Sequence, residues 1–335
     1  MAEYILAGDV GGTKTILSLF EEGSGPNIPL AKETFVSKAY ASLSDIVEEY
    51  LAKRSVEVRV ACFGVAGPVK DGQVATTNLP WSLTEAGLQP VVNHAPVFLL
   101  NDLMAAAVAI PRLSGEDLHP INPGVPDPHG AIGLISPGTG LGEAFLTWHG
   151  DGYQALPSEG GHCSFAPGDE DQLALVEFLL PRFGHVSYER VCSGLGIANL
   201  YAFLKEGQKV TEPESLRKAL AEAPDPNPVL FQAAMEDQVD IASRTLALFA
   251  DILANEASNL ALKVLATGGI YLGGGIPPRL KNWLDPDRFM SVFTSKGRFA
   301  DLLAEIPINI ILKPETALFG AACYAFERLA EIAEP

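Results

Sequence analysis

Two short turns constrain this chain more than any other feature of it. Residues 8–15 read GDVGGTKT and residues 136–142 read SPGTGLG. Each follows a short apolar run, residues 4–8 in the first case and AIGLIS in the second. Each leads into another, TILSLF or EAFLTW. That pattern predicts a β-hairpin with a glycine tip. Two hairpins of one design therefore open two parts of the chain, a weak internal repeat. Glycine lets the backbone adopt φ > 0 and approach a ligand closely, and consecutive N–H groups in such a turn form a nest for an anion. The candidate phosphate contacts are Gly8, Asp9, Val10, Gly11, Gly12 and Thr13, then Gly138, Thr139 and Gly140. Lys14 can add charge, and Asp9 is placed to hold Mg²⁺ through water. Neither turn matches G-x-x-x-x-G-K-[ST]. Asp-Gly and Gly-Gly are also favoured in hairpins that bind nothing. Alone, the first turn leaves both readings open; the second weighs for the nest.

The rest of the pattern alternates strand and helix, which sets the class as α/β. Residues 43–53 predict a helix with Leu43, Ile46, Val47, Tyr50 and Leu51 on one face. Strands are expected at 56–65, 97–100, 264–272 and 308–312. Helices are expected at 169–183, at 237–253 continued over 255–261, and at 317–332. Residues 212–228, rich in Pro, Glu and Asp, read as a surface loop. A third glycine turn lies in TGGIYLGGGIPPR, residues 267–279. The side-chain-free backbone of Gly273, Gly274 and Gly275 admits a flat ring such as adenine, or simply a tight strand-to-helix turn.

A length of 335 residues suggests two domains as a soft prior. Lys and Arg number 23 against 41 Asp and Glu, a net charge of −18. That surface repels nucleic acid and anionic lipid, so a phosphate ligand needs local N–H groups, a basic side chain or Mg²⁺. The cysteines, Cys62, Cys163, Cys192 and Cys323, are widely spaced with no C-x-x-C. They read as reduced thiols, with neither a disulfide framework nor a zinc site. MAEYILAGDV has no basic n-region, and no window holds 18 uninterrupted apolar residues. The expectation is a cytoplasmic protein with no membrane or nucleic-acid partner.

Asn101 and Asp102 end a strand, where α/β folds place ligands. A carboxylate there can orient and deprotonate an attacking hydroxyl. Asn-Asp before an Ala-rich helix is equally a capping signal, and the residues alone favour the cap. Glu159 and His162, in SEGGH, and Glu189, in YER, offer acceptors suited to a ring of hydroxyls. Glu189 beside Arg190 also fits a solvated ion pair. Asn78 in TTNLPW can bond a hydroxyl or form an Asx-turn.

The three turns, in this order, resemble those of the sugar kinases of the hexokinase, actin and heat-shock ATPase superfold. The chain is similar to the bacterial glucokinase family over nearly its whole length. GDVGGT matches its phosphate-1 motif, GTGLG its phosphate-2 motif and TGGIYLGGGIPPR its adenosine motif. LLNDLMAAA, LPSEGGHCSFAP, YERVCSGLGI and SKGRF are further similar stretches. The resemblance implies a two-domain, actin-like (ribonuclease H-like) α/β fold with an interdomain cleft. Residues 1–112 plus 316–335 would form the small domain and 113–315 the large one. It implies ATP-dependent phosphorylation of D-glucose at the 6-hydroxyl, with Mg²⁺ accompanying ATP, Asp102 as catalytic base, and a homodimer. Asn78, Asn101, Asp102, Glu159, His162 and Glu189 would hold the sugar. The cysteine cluster of the related repressor-and-kinase proteins is missing, since only Cys163 and Cys192 lie in that region, so no structural zinc is implied. A kinase for mannose or an N-acetyl amino sugar is the alternative. A sugar-responsive transcription regulator would need a helix-turn-helix before the first strand. A chaperone-like ATPase would have no use for Glu159, His162 and Glu189.

Overall fold

The computed structural model describes residues 3–76 and 78–333. The chain divides into two compact units. One comprises Met1–Ser114, Tyr153–Leu156 and Lys313–Pro335; the other comprises Gly115–Gly152 and Pro157–Leu312.

In the first unit, β1 (Glu3–Val10) and β2 (Lys14–Glu21) form the expected hairpin, with Val10 opposite Thr15. The other strands are β3 (Ala31–Val36), β4 (Glu57–Val65), a small β5–β6 pair (Gln73–Ala75, Ser82–Thr84) and β7 (Val97–Asn101). The main sheet runs β3-β2-β1-β4-β7; β4 is parallel to both β1 and β7. Both faces of this sheet are covered, which is why β1, β2 and β4 read as continuous apolar runs. Leu6, Leu17, Leu19 and Phe63 pack with Leu43, Ile46, Val47 and Tyr50 of the helix Leu43–Ala52. On the other face, Ile5, Ala7, Ile16, Phe20, Val60 and Cys62 pack with Leu318, Ala321, Ala322, Ala325 and Leu329 of the closing helix Thr316–Ala333.

The second unit repeats the plan. The strands of its sheet are β8 (Leu118–Asn122), β9 (Ile132–Pro137), β10 (Leu141–His149), β11 (Gly152–Ser158, of which Tyr153–Leu156 are counted with the first unit), β12 (Gly269–Leu272) and β13 (Ile308–Ile311). The order is β11-β10-β9-β12-β13-β8. Again a hairpin, β9–β10, contributes the strand beside which two later strands, β12 and β13, align in parallel. The repeat read from two turns is thus a repeat of sheet topology. The 25-residue helix Asp240–Val264 buries Leu246, Phe249, Leu253, Ala257 and Leu260 in one core with Ile135, Ile270, Leu272, Ile308 and Ile310.

Three sequence expectations change. Residues 212–228 are not a loop: Glu214–Glu222 is a helix, and the next helix begins at Pro226. Pro213 precedes the first helix and Pro226 opens the second, positions where a missing N–H costs nothing. The expected strand over 264–272 shortens to Gly269–Leu272, because the long helix runs through Val264 and ends on left-handed Leu265. The helix expected at 237–253 and continued over 255–261 starts later, at Asp240, and runs without interruption to Val264.

The closing helix crosses the helix Asp102–Ala109 at Gly320. A Cβ on Gly320 would overlap the Ala105 carbonyl oxygen and lie 2.6 Å from its carbon. Gly320→Ala must therefore push the two helices apart. It is expected to destabilise the protein by about 1–3 kcal/mol, read as a lower thermal midpoint; an unchanged midpoint would show that the crossing does not need glycine.

Candidate active site

The tip of the first hairpin is braced from one side. Gly11 N–H donates to the Lys14 carbonyl at 3.0 Å, and Ser37 donates to Thr13 O through its N–H at 3.1 Å. The Ser37 hydroxyl donates to Gly11 O at 2.7 Å. Gly8, Gly11 and Gly12 do not adopt positive φ, contrary to the expectation from sequence. Two of them are required for space. A Cβ on Gly8, which lies within β1, would sit 2.5 Å from Phe63. One on Gly12 would sit 2.5 Å from the Asn78 Cβ. Asn78 therefore lies against the hairpin tip; its neighbour Thr77, also in TTNLPW, lies outside the described residues. Val10 is buried in the core and can offer a ligand only its backbone.

At the end of β7 the two readings of Asn101-Asp102 separate onto two residues. Asn101 is the cap: its side-chain oxygen accepts from Leu103 N at 3.0 Å and Met104 N at 3.3 Å. Its amide donates to Gly67 O at 3.1 Å. Asp102 opens the helix and accepts from Leu103 N at 2.9 Å. Burial raises the Asp102 pKa, with the hydrogen bonds opposing. Asp9 is pushed up to about 6, first by burial, then by the Asp102 charge, with Glu315 adding and Lys14 opposing. Glu315 was not singled out from sequence. It sits at φ 56° and pairs with Lys32 at 2.8 Å; nothing in its local pattern marks such a residue.

At Asp9 the field of Asp102 and Glu315 is opposed by Lys14, and Asp9 is the residue that would face a cation brought with phosphate. Among the described residues no three His, Cys, Asp or Glu side chains cluster to hold a metal ion.

In the second unit, the Gly138 carbonyl accepts from Gly194 N at 2.7 Å and Gly138 N–H donates to Gly140 O at 2.9 Å. The triple-glycine turn lies against this one: Gly273 N–H donates to Ile135 O at 2.8 Å, and Ile276 N–H to Pro137 O at 3.3 Å. Gly274 has φ 78°, and a Cβ there would lie 2.5 Å from the Pro137 oxygen. Gly273 is less confined, its Cβ meeting Leu134 at 3.2 Å, and around Gly138 and Gly275 there is open space.

Glu189 turns toward the same strand end. It accepts from Leu141 N at 3.1 Å, and its carboxylate fills the Cβ place of Gly140. The ion pair with Arg190 considered from sequence does not form; Arg190 stacks on Phe183 at 4.4 Å. His162 stands 3.9 Å from Glu189 through Nδ1 and 4.0 Å from Glu159 through Nε2. Glu159 and His162 are 82% and 61% exposed, against 27% for Glu189. Two members thus face solvent while the third is anchored. The structure brings together Glu159, His162, Glu189 and Thr139's neighbour Gly140 in the second unit, and Asp9, Gly12, Asn78, Asn101 and Asp102 belong to the first. Sequence reading missed Glu143, buried in β10 with its carboxylate in the Cβ place of Gly160. The signal was there: a lone acid among the apolar residues of LGEAFL.

Solved structures place this topology among known folds. A glucokinase from an Antarctic psychrotroph has a TM-score of 0.85 at 31% identity, with 97% of this chain and 99% of that one covered. A ROK-family glucokinase from Streptomyces griseus, solved with glucose and AMPPNP, has a TM-score of 0.66 at 20% identity, covering 97% and 99%; at that identity it speaks to the fold alone. The fold is that of the actin-like ATPases, and the class is the ATP-dependent hexose kinases. Within it the assignment narrows. The glucokinase family model matches residues 6–328, and the glucokinase of Nostoc punctiforme is 38% identical over 96% of this chain and 98% of its own length. The chain belongs to the glucokinase family. Among the described residues no helix is long and apolar enough to cross a membrane.

Because Asp9 has a raised pKa, its contribution to stability is present below the ordinary Asp value and lost as pH rises through about 6. Asp9→Asn removes that loss. The variant is expected to gain thermal midpoint over the wild type at pH 8 and not at pH 4, while losing ATP turnover. A midpoint difference independent of pH, measured by calorimetry without nucleotide, would contradict this account of Asp9.

Proposed function

We propose that the chain transfers the γ-phosphoryl group of ATP to the 6-hydroxyl of D-glucose, giving glucose 6-phosphate and ADP. The observation that carries this is the division of labour at the end of β7. Asn101 takes most of the capping duty, and Asp102 presents a half-buried carboxyl of raised pKa. A carboxylate with a raised pKa is a better proton acceptor than one in water, and an aligned acceptor contributes roughly 10²- to 10⁴-fold.

Asp102 accepts the proton of the 6-hydroxyl as that oxygen attacks the γ-phosphorus. Glu159, His162 and Glu189 hold ring hydroxyls, and Asn101 and Asn78 add contacts on the first unit. Glu189 is suited to its part by its anchor on Leu141 N, which fixes the carboxylate before sugar arrives. Gly8, Asp9, Val10, Gly11, Gly12 and Thr13, with Gly138, Thr139 and Gly140, carry the phosphates. Gly273, Gly274 and Gly275 form the adenosine surface. Mg²⁺, held near Asp9, would neutralise charge on the phosphates during transfer. In this reading the small domain is residues 1–112 and 316–335, the large domain 113–315, and the enzyme is a cytoplasmic homodimer, as the family resemblance implies.

Asp102→Ala is expected to lower kcat by roughly 10²- to 10⁴-fold with near-normal ATP binding; wild-type turnover would remove Asp102 from its role. A coupled assay of ADP release should give the highest kcat/KM with glucose. A higher value with mannose or N-acetylglucosamine would replace the substrate.

A further inference from the structure

A buried ionic cluster lies directly behind the turn that carries Glu159 and His162. Glu256, on the helix Asp240–Val264, is 0% exposed and fully partnered. Lys263 donates to one oxygen at 3.1 Å and Asn259 to the other at 2.9 Å. Asn259 also donates to the Tyr188 hydroxyl at 2.7 Å, next in sequence to Glu189. Lys296 donates to the side-chain oxygens of Asn255 at 2.5 Å and Asn259 at 2.9 Å.

Glu143 is the exception. It is 1% exposed, and Oε1 is buried with no hydrogen-bond partner. Its other oxygen, Oε2, fills the place where a Cβ on Gly160 would be. A buried carboxyl oxygen without a partner is unfavourable, and an apolar side chain at this position would carry no such cost. What the carboxyl supplies is a thin, flat support against a glycine backbone. Gly161 is held on the same side, its Cβ place taken by the Leu141 carbonyl. The turn between Glu159 and His162 is therefore seated on β10, and Glu143 is the side chain in that seat.

We propose that Glu143 is a positioning residue for the sugar: its carboxyl group supports the Gly160–Gly161 backbone and so fixes where Glu159 and His162 present their side chains. This rests on the reading of Glu159 and His162 as sugar ligands. The charge state of Glu143 bears on the support it gives. The charged and titratable groups facing it are Glu256 and Lys263 from the long helix and the buried Cys192 thiol. Beyond them, Cys163 faces Lys263, while Tyr188 and Lys296 face Glu256. Burial and then Glu256 push the Glu143 carboxyl up to about 7, with Lys263 opposing. Below that pH the neutral acid rests on the glycine backbone. Above it an ionised carboxylate with one unpartnered buried oxygen presses on the glycine backbone, a less favourable support for the turn. The same raised pKa makes its stabilising contribution complete below the ordinary Glu value and lost as pH rises through about 7.

The test compares wild type, E143A, E143Q and E159A by steady-state kinetics well below melting. E143A is expected to raise the glucose KM about tenfold while the ATP KM stays within about twofold. E143Q, neutral at every pH and nearly isosteric, should rescue the glucose KM at pH 6. It should also keep it flat to pH 8, where that of the wild type rises. Its thermal midpoint relative to wild type should be higher at pH 8 than at pH 5. A purely structural role would lower the E143A midpoint and leave the glucose KM alone, which overturns the proposal, as does a wild-type pH profile in E143Q. E159A separates the two readings: an unchanged glucose KM in that variant overturns the sugar-ligand assignment itself. A raised KM there beside a normal one in E143A overturns only the role of Glu143.

Discussion

The side chain of Asn101 makes the candidate site possible. A helix that starts at the end of a buried strand leaves N–H groups without partners, and the nearest carboxylate would ordinarily satisfy them. Here a neutral amide shares the task, accepting from Leu103 N, which Asp102 also binds, and from Met104 N, and donating to the Gly67 carbonyl. The acid one position later is half-buried, and desolvation raises its proton affinity against the hydrogen bonds it accepts. The cap, the Gly67 segment and the base are thus one device. A change at Asn101 acts on the chemistry through geometry as well as through any contact with the sugar.

Electrostatics organises both units alike. In the first, Asp102 and Glu315 add to burial in raising the proton affinity of Asp9, and Lys14 opposes them. In the second, Glu143 and Glu256 share one lysine. Each is an arrangement that an optimally stable protein would avoid. In the first unit the excess negative charge suits a cation brought with the nucleotide. In the second, most of the cluster is satisfied internally, and the cost is concentrated on one oxygen of Glu143.

Much of this was legible in the sequence, because hairpins and amphipathic helices are written in local periodicity. The two Gly-Thr turns, the face of the helix Leu43–Ala52 and the capping signal at Asn101 are local facts. The glycines misled in one respect: their presence suggested unusual dihedral angles, whereas Gly8 and Gly12 are needed because Phe63 and Asn78 come close. That crowding is tertiary and leaves no local trace. The helix Glu214–Glu222 was hidden by composition, since the prolines that suggested a loop sit just before or at helix starts. Glu315 and the charged neighbours of Glu143 come from distant segments and emerge only in the fold.

The closing helix has a consequence for how the chain is made. The first unit's sheet is complete by residue 101, yet the face formed by Ile5, Ile16, Phe20 and Val60 is covered by residues 318–329. During synthesis the N-terminal third emerges first as a sheet with one apolar side bare, and stays so while the whole second unit is translated. Contacts so distant in sequence are slow to form, and an uncovered sheet face is a hazard for association between nascent chains. The helix Thr316–Ala333 therefore completes the first unit, whose core on this face closes only once that distant segment has been made.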